Sequence, residues 1–222
     1  MTCYLVQVVR FDVNFPSPDT IQQASQAIRR GQIVLHPTDT VYGLACDPFD
    51  QDALGRLFAL KGRSSKSGVL LLIPDPIYCE EICDDIPQVF YELSDRLWPG
   101  PVTLLLRGKP SLPALLLGNE GKVGLRQPDL PWLKLWMEGI PGAIVSTSAN
   151  RSGQATPVSL EELRLIFESE VDLFLEGDEV AKGTQASTVV DLTVTPPQLV
   201  RAGRWTHRVQ ACLKDTSAGD PS

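Results

Sequence analysis

The longest apolar runs in this chain, Val69 to Ile73, Val102 to Leu106 and Leu115 to Leu117, are strand-sized, and stretches with helical periodicity lie between them. That alternation points to layered packing of helices on a sheet, and it leaves no segment approaching the roughly 20 apolar residues of a membrane span. With 222 residues, 43% of them apolar, the chain can bury one sizeable core. Its 17 glycines and 18 prolines are spread evenly instead of pooled in a linker, so many short elements in a single domain are expected. The start, MTCYLVQVVRFD, has neither a basic stretch nor a small-residue cleavage site and reads as a strand of a cytoplasmic protein. The expected layout is a single domain over 1–213, with its core at about 19–205, and a flexible tail over 214–222.

Asp19 reads as the cap of a helix over Thr20 to Arg30, with Ile21, Ala24, Ala27 and Ile28 on one face and Gly31 as its stop. Ile33 to Leu35 follows as a buried strand, ended by His36-Pro37, and PTDTVYGLACD reads as a loop. Asp50 caps a second helix carrying Leu54, Leu57, Phe58 and Leu60, which delivers Lys61-Gly62-Arg63 at its C-terminal end. Ile86, Phe90, Leu93 and Leu97 mark a third helix ending before Trp98, and Pro131 to Glu138 a fourth that starts on proline. Strands are expected at Val69 to Ile73, Val102 to Leu106, Val123 to Arg126 and Ala143 to Ser146. Ser159 and Glu162 form a capping box ahead of Leu163. Val171 to Leu175, Ser187 to Leu192 and Gln198 to Arg201 then follow without helices between them, which implies antiparallel pairing, whereas the earlier alternation allows parallel pairs. The predicted fold class is α/β with α+β character, built on one mixed sheet.

A net charge of −7 argues against a chain whose main task is coating nucleic acid. Five scattered cysteines and only two histidines, His36 and His207, make a soft-metal site hard to assemble, so reduced structural thiols and no bound metal are expected. The common phosphate-loop, dinucleotide, hydrolase-elbow and zinc-protease signatures are absent. Four clusters remain. Pro37 to Leu44 joins hydroxyls to Gly43, although composition alone favours a strand–turn–strand with Tyr42 in the core. Lys61, Arg63 and the polar loop Ser64 to Gly68 can converge on one polyanion, or form a solvated helix end. Ser146, Ser148 and Asn150 share a face of an extended segment, or belong to a polar turn. Arg126, Ser187 and Arg201 stand at strand ends, where rim charges are also common.

Taken in order and spacing, PTDTVYGL, the K-x-R of Lys61 and Arg63, WPGPVTLLL, VGLRQP, STSANRSG, STVVDL and LVRAG resemble the YrdC-like threonylcarbamoyl-adenylate synthase family, from about Asp19 to Gly203. The chain is similar to the short form, without the additional C-terminal domain. The resemblance implies a twisted mixed parallel and antiparallel sheet with flanking helices around a concave cavity. It also implies a nucleotidyltransferase that condenses L-threonine, bicarbonate and ATP into threonylcarbamoyl-AMP and pyrophosphate, with Mg²⁺ carried on ATP. The product would pass to downstream threonylcarbamoyl-transferase proteins that modify tRNA adenosine 37, with a weak tRNA contact and no membrane. By the same resemblance Lys61 and Arg63 are catalytic. Arg63, Ser67, Lys122, Ser148, Asn150, Thr156 and Arg201 serve ATP and its phosphates, and Thr40, Arg126, Ser146 and Ser187 hold L-threonine. Ser64 stands where the family often has proline. The alternatives are a divergent RNA-binding or ribosome-associated protein and a nucleotide hydrolase of the same fold.

Overall fold

The computed structural model describes residues 6–62, 69–140, 142–157, 159–177 and 185–218, without the side chains of 216–218. In chain order the elements are β1 (Gln7–Phe11), α1 (Pro18–Arg29), β2 (Val34–His36), β3 (Gly43–Cys46), α2 (Gln51–Lys61), β4 (Leu70–Leu72), α3 (Cys79–Ile82) and α4 (Gln88–Leu97). There follow β5 (Val102–Arg107), α5 (Ala114–Leu117), β6 (Lys122–Arg126), α6 (Pro131–Glu138), β7 (Ile144–Ser148), α7 (Leu160–Phe167), β8 (Leu173–Gly177), β9 (Thr188–Asp191), β10 (Gln198–Arg201) and α8 (Thr206–Ala218).

Among the described residues, ten strands form one sheet in the order β1-β8-β2-β3-β7-β4-β6-β5-β9-β10. Pairs β1–β8, β2–β8, β4–β6 and β5–β9 are parallel, and the remainder are antiparallel. The mixed sheet expected from sequence is therefore present, with one correction. β8 does not pair with the strands that follow it; it returns to lie parallel between β1 and β2, because its buried run Leu173 to Gly177 needs neighbours on both sides.

Residues alternate across the sheet, so each strand feeds two layers. Leu35, Leu44, Leu71, Val145, Leu125, Leu104 and Val190 lie on one face, in a core closed by Leu54, Leu57 and Phe58 of α2, Phe90 and Leu93 of α4, Phe167 of α7 and Val209 of α8. On the other face Val34, Ala45, Leu72, Ile144, Leu173 and Leu175 pack under α1 and α6, with Trp132 and Trp136 stacked at 4.9 Å. The second layer extends only over the first six strands of the sheet order. Over β6, β5 and β9 the same face carries Lys122, Gly124, Arg126, Thr103, Leu105, Val189 and Asp191, and there it opens into a cavity.

Beyond shifts of one or two residues at strand and helix ends, four departures from the sequence reading stand out. Ser17, not Asp19, caps α1, accepting from Thr20 N at 3.1 Å, while Asp19 sits in the first turn where its charge suits the dipole. The stretch read as one loop after His36 contains β3, all four residues of which are buried. Leu115 to Leu117 is helical, within α5. The chain also stays helical through Ala218, where a tail was expected from Lys214; Val209 and Cys212 are buried, and Asp215 pairs with Arg96 of α4 at 2.6 Å. Cys46, Cys79, Cys83 and Cys212 are buried, and burial pushes the thiols of Cys79 and Cys83 up to about 11 and about 12. Among the described residues no helix is long and apolar enough to cross a membrane.

Candidate active site

A cavity of about 610 Å³ occupies the uncovered part of the sheet. Lys122 and Arg126 alternate on β6, about 13 Å apart at the usual strand rise, and they mark the cavity's two ends.

The connection after β2 builds the Arg126 end. Thr38 Oγ1 accepts from Thr40 N at 3.1 Å and Val41 N at 3.2 Å, a hydroxyl-closed turn that holds Asp39 and Thr40 in place. Arg126, 2% exposed, donates from Nη2 to Asp39 Oδ1 at 2.6 Å and from Nη1 to Thr40 Oγ1 at 3.3 Å. Its Nε is buried with no hydrogen-bond partner. Burial holds the Arg126 pKa below the ordinary arginine value, with the Asp39 charge acting in the opposite sense. Arg201 reaches in from β10. It donates from Nε and Nη2 to Ser187 O and from Nη2 to Ser187 Oγ at 3.0 Å, and Ser187 Oγ also bonds Thr103 Oγ1 at 2.9 Å. Burial lowers the Arg201 pKa too, and the charge on Arg126 lowers it further. Two guanidinium groups thus share one pocket wall with Asp39 as the carboxylate at that end, an arrangement that favours an anion.

β7 supplies the floor. Ser146 Oγ bonds His36 Nε2 at 3.1 Å, and Ser148 Oγ donates to Asn150 Oδ1 at 2.6 Å. At the other end, Lys122 Nζ bridges Asp191 at 2.9 Å and Glu120 at 2.8 Å. Burial pushes the Asp191 pKa up, but the hydrogen bonds from Thr193 and Lys122 outweigh it and hold the carboxyl below its ordinary value. Leu70, Leu105, Leu117 and Val189 make the intervening wall apolar.

Of the residues singled out from sequence, Thr40, Lys122, Arg126, Ser146, Ser148, Thr156, Ser187 and Arg201 line this one cavity. Asn150 stands beside it, its side chain joining Ser148, Lys61 and Gln154 O. Arg63 and Ser67, with the whole loop Ser64 to Gly68, lie outside the described residues. Lys61 departs from the expected free cation at a helix end. It is buried, and its ammonium donates to Ser148 O, to Asn150 O at 2.9 Å and to Asn150 Oδ1 at 3.2 Å, which ties α2 to the end of β7. Asp39, Thr103, Asp191 and His36 were missed. Asp39, Thr103 and Asp191 lie inside the quoted PTDT, WPGPVTLLL and STVVDL motifs, but their partners in the site, Arg126, Ser187 and Lys122, are remote in sequence, as Ser146 is from His36.

The family model described as Sua5/YciO/YrdC, telomere recombination, matches residues 26–203. The chain is 34% identical over 183 residues to a threonylcarbamoyl-AMP synthase of Pyrococcus abyssi, covering 82% of this chain and 54% of that one. It is 32% identical over 183 residues to a threonylcarbamoyl-AMP synthase of Pseudomonas syringae, covering 82% of this chain and 97% of that one. The crystal structure of P. abyssi Sua5 complexed with L-threonine superposes with a TM-score of 0.81 at 32% identity, over 89% of this chain and 57% of that one. The chain thus spans about half the length of the archaeal relative and nearly all of the bacterial one.

Proposed function

Because the chain belongs to the Sua5/YciO/YrdC family, we propose that it is a threonylcarbamoyl-AMP synthase, a nucleotidyltransferase acting on L-threonine, bicarbonate and ATP. The observation that carries this reading is the pairing of Arg126 and Arg201 with the hydroxyls of Thr40, Ser146 and Ser187 at one end of one cavity. An amino acid brings a carboxylate for the Arg126 guanidinium and an amine for neutral oxygens, which leaves the neighbouring Arg201 for the phosphates of ATP. The relative solved with L-threonine bound supports that choice of amino acid.

The reaction needs no protein nucleophile. The neutral amine of threonine adds to carbon dioxide drawn from bicarbonate; a nitrogen–carbon bond forms, a proton leaves the nitrogen, and a carbamate results. A carbamate oxygen then attacks the α-phosphorus of ATP, and the bond to pyrophosphate breaks with its electron pair on the leaving group. Positioning and charge complementarity carry such a step. Arg126, which lines the cavity, faces the carboxylate, while Thr40 and Ser187 orient the amino acid. Arg201, Lys122, Ser148 and Thr156, which line the cavity, serve the nucleotide, and Arg63 and Ser67, outside the described residues, are assigned to it from the sequence motif alone. Lys61 acts by positioning, since its ammonium holds the backbone of Ser148 and Asn150.

Magnesium enters on the triphosphate. Asp39, Asp191 and Glu120 each already hold a cationic side chain, and no group of three or more metal-binding side chains occurs among the described residues. Mg²⁺ supplies charge neutralisation on the phosphates when bound. The product is handed to a threonylcarbamoyl transferase acting on tRNA.

The purified chain supplied with ATP, Mg²⁺ and bicarbonate should release pyrophosphate only when L-threonine is added. Release of AMP or phosphate at the same rate without threonine would make the protein a nucleotide hydrolase instead.

A further inference from the structure

His36 is wholly buried on β2, edge-on to Trp132 and Trp136. Its Nδ1 lies 3.1 Å from Pro37 O, which also accepts from Trp132 Nε1 at 3.2 Å. A carbonyl only accepts, so the ring proton sits on Nδ1 and Nε2 carries a lone pair. Ser146 Oγ, 3.1 Å from Nε2, must therefore donate its proton to the ring. β3 runs between the two, and Gly43 lies directly opposite His36. A Cβ at position 43 would come within 2.8 Å of both His36 Nε2 and Ser146 Oγ, so this bond crosses β3 only because the residue there is glycine.

We propose that His36 is a positioning residue that fixes the polarity of Ser146, so that the hydroxyl meets the substrate amine only as an acceptor. The inference rests on the proposed reading of the cavity as the L-threonine site. A freely rotating serine hydroxyl can donate to an amine nitrogen and cover the lone pair that has to attack carbon dioxide. With its proton directed at His36 Nε2, Ser146 Oγ can only receive an N–H from the amine, which turns the nitrogen lone pair away from the protein and leaves it free to react. The same polarity keeps Ser146 from binding the substrate carboxylate, which also only accepts, and so assigns the two ends of the amino acid to different parts of the wall. Burial holds the ring neutral across the working pH range, so His36 does not take up the amine proton itself.

The test is a double-mutant cycle on the full chain, read as kcat/KM for L-threonine, KM for ATP and direct L-threonine binding by calorimetry. His36→Phe keeps a ring among the tryptophans but removes the acceptor. It should lower kcat/KM for L-threonine about tenfold, the weight of one ordinary hydrogen bond, with the KM for ATP unchanged. In a Ser146→Ala background the same change should cost nothing more. His36→Gln, whose amide oxygen can take the serine proton, should restore most of the loss and controls for folding. Additive losses in the cycle, or a His36→Gln variant as poor as His36→Phe, would make His36 structural and overturn the inference while leaving the threonine site standing. A wild-type chain that does not bind L-threonine would overturn the site reading and this inference together.

Discussion

His36 is buried at a place that suits only a neutral ring, and burial pulls its pKa from 6.5 down to about 3. Between those two values the unfolded chain binds a proton that the folded protein does not, so stability is complete above about pH 6.5 and falls as the pH drops. The slope from this one group approaches about 1.4 kcal/mol per pH unit. Denaturant titrations from pH 7 to pH 4 should show that slope in the wild type and a flatter one in His36→Gln; equal slopes would mean His36 is not the group responsible. Lys61 makes a second residue-level prediction. Lys61→Met leaves Ser148 O, Asn150 O and Asn150 Oδ1 without their ammonium and should cost about 2–4 kcal/mol of unfolding free energy, with activity lost alongside. A melting temperature unchanged by Lys61→Met, with activity abolished, would return Lys61 to direct contact with substrate. Ser146, Arg126 and Ser187 stood out as polar residues in or at the ends of apolar strands, but a polar turn and rim charges explained them equally well, and only the family resemblance assigned them to L-threonine; the structure brings all three to one cavity. Lys61 was legible as a residue but not in its surroundings, since its acceptors lie nearly ninety residues away on a loop whose fold the sequence does not print.

The clearest element-level agreement is α6, where Pro131 at the first turn and an apolar stripe gave both ends, and α2, where Asp50 caps the start and Gly62 takes the left-handed conformation at φ 59°. Caps and periodicity are local signals, and they survived. β3 was legible only as one reading of a segment also read as a loop, because four buried residues, Gly43 to Cys46, show no alternation and follow a turn-rich motif. The neighbours of β8 were hidden because sheet order depends on long-range burial. The LVRAG stretch gains a reason only from packing. A Cβ on Gly203 would lie 2.5 Å from three backbone atoms, Ala186 O, Ser187 C and Thr188 N, so the chain after β10 rests directly on the entry to β9. Gly203→Ala should therefore destabilise by about 1–3 kcal/mol and also impair L-threonine binding, because the backbone it displaces carries Ser187. Thermal melts and calorimetry on this variant check both effects. A melt shift without a binding defect would show that β9 gives way without moving Ser187.

At the scale of the whole molecule, the sheet is covered by helices on one face throughout and on the other only in part, and the uncovered part is the cavity. The charge balance bears on partners. A net charge of −7 argues against extensive phosphate neutralisation, so the chain's contact with tRNA should be weak and only shallowly dependent on salt. A salt titration of tRNA binding should find little affinity at physiological ionic strength; tight binding that persists there would favour an RNA-binding protein over an enzyme that releases its product to a separate transferase. The most direct test of the account is mass spectrometry of the product formed from ATP, Mg²⁺, L-threonine and isotopically labelled bicarbonate. The account predicts a threonylcarbamoyl-adenylate species that carries the bicarbonate label and disappears when either threonine or bicarbonate is omitted. A product mixture holding only unlabelled AMP or ADP, formed at the same rate without threonine, would contradict it.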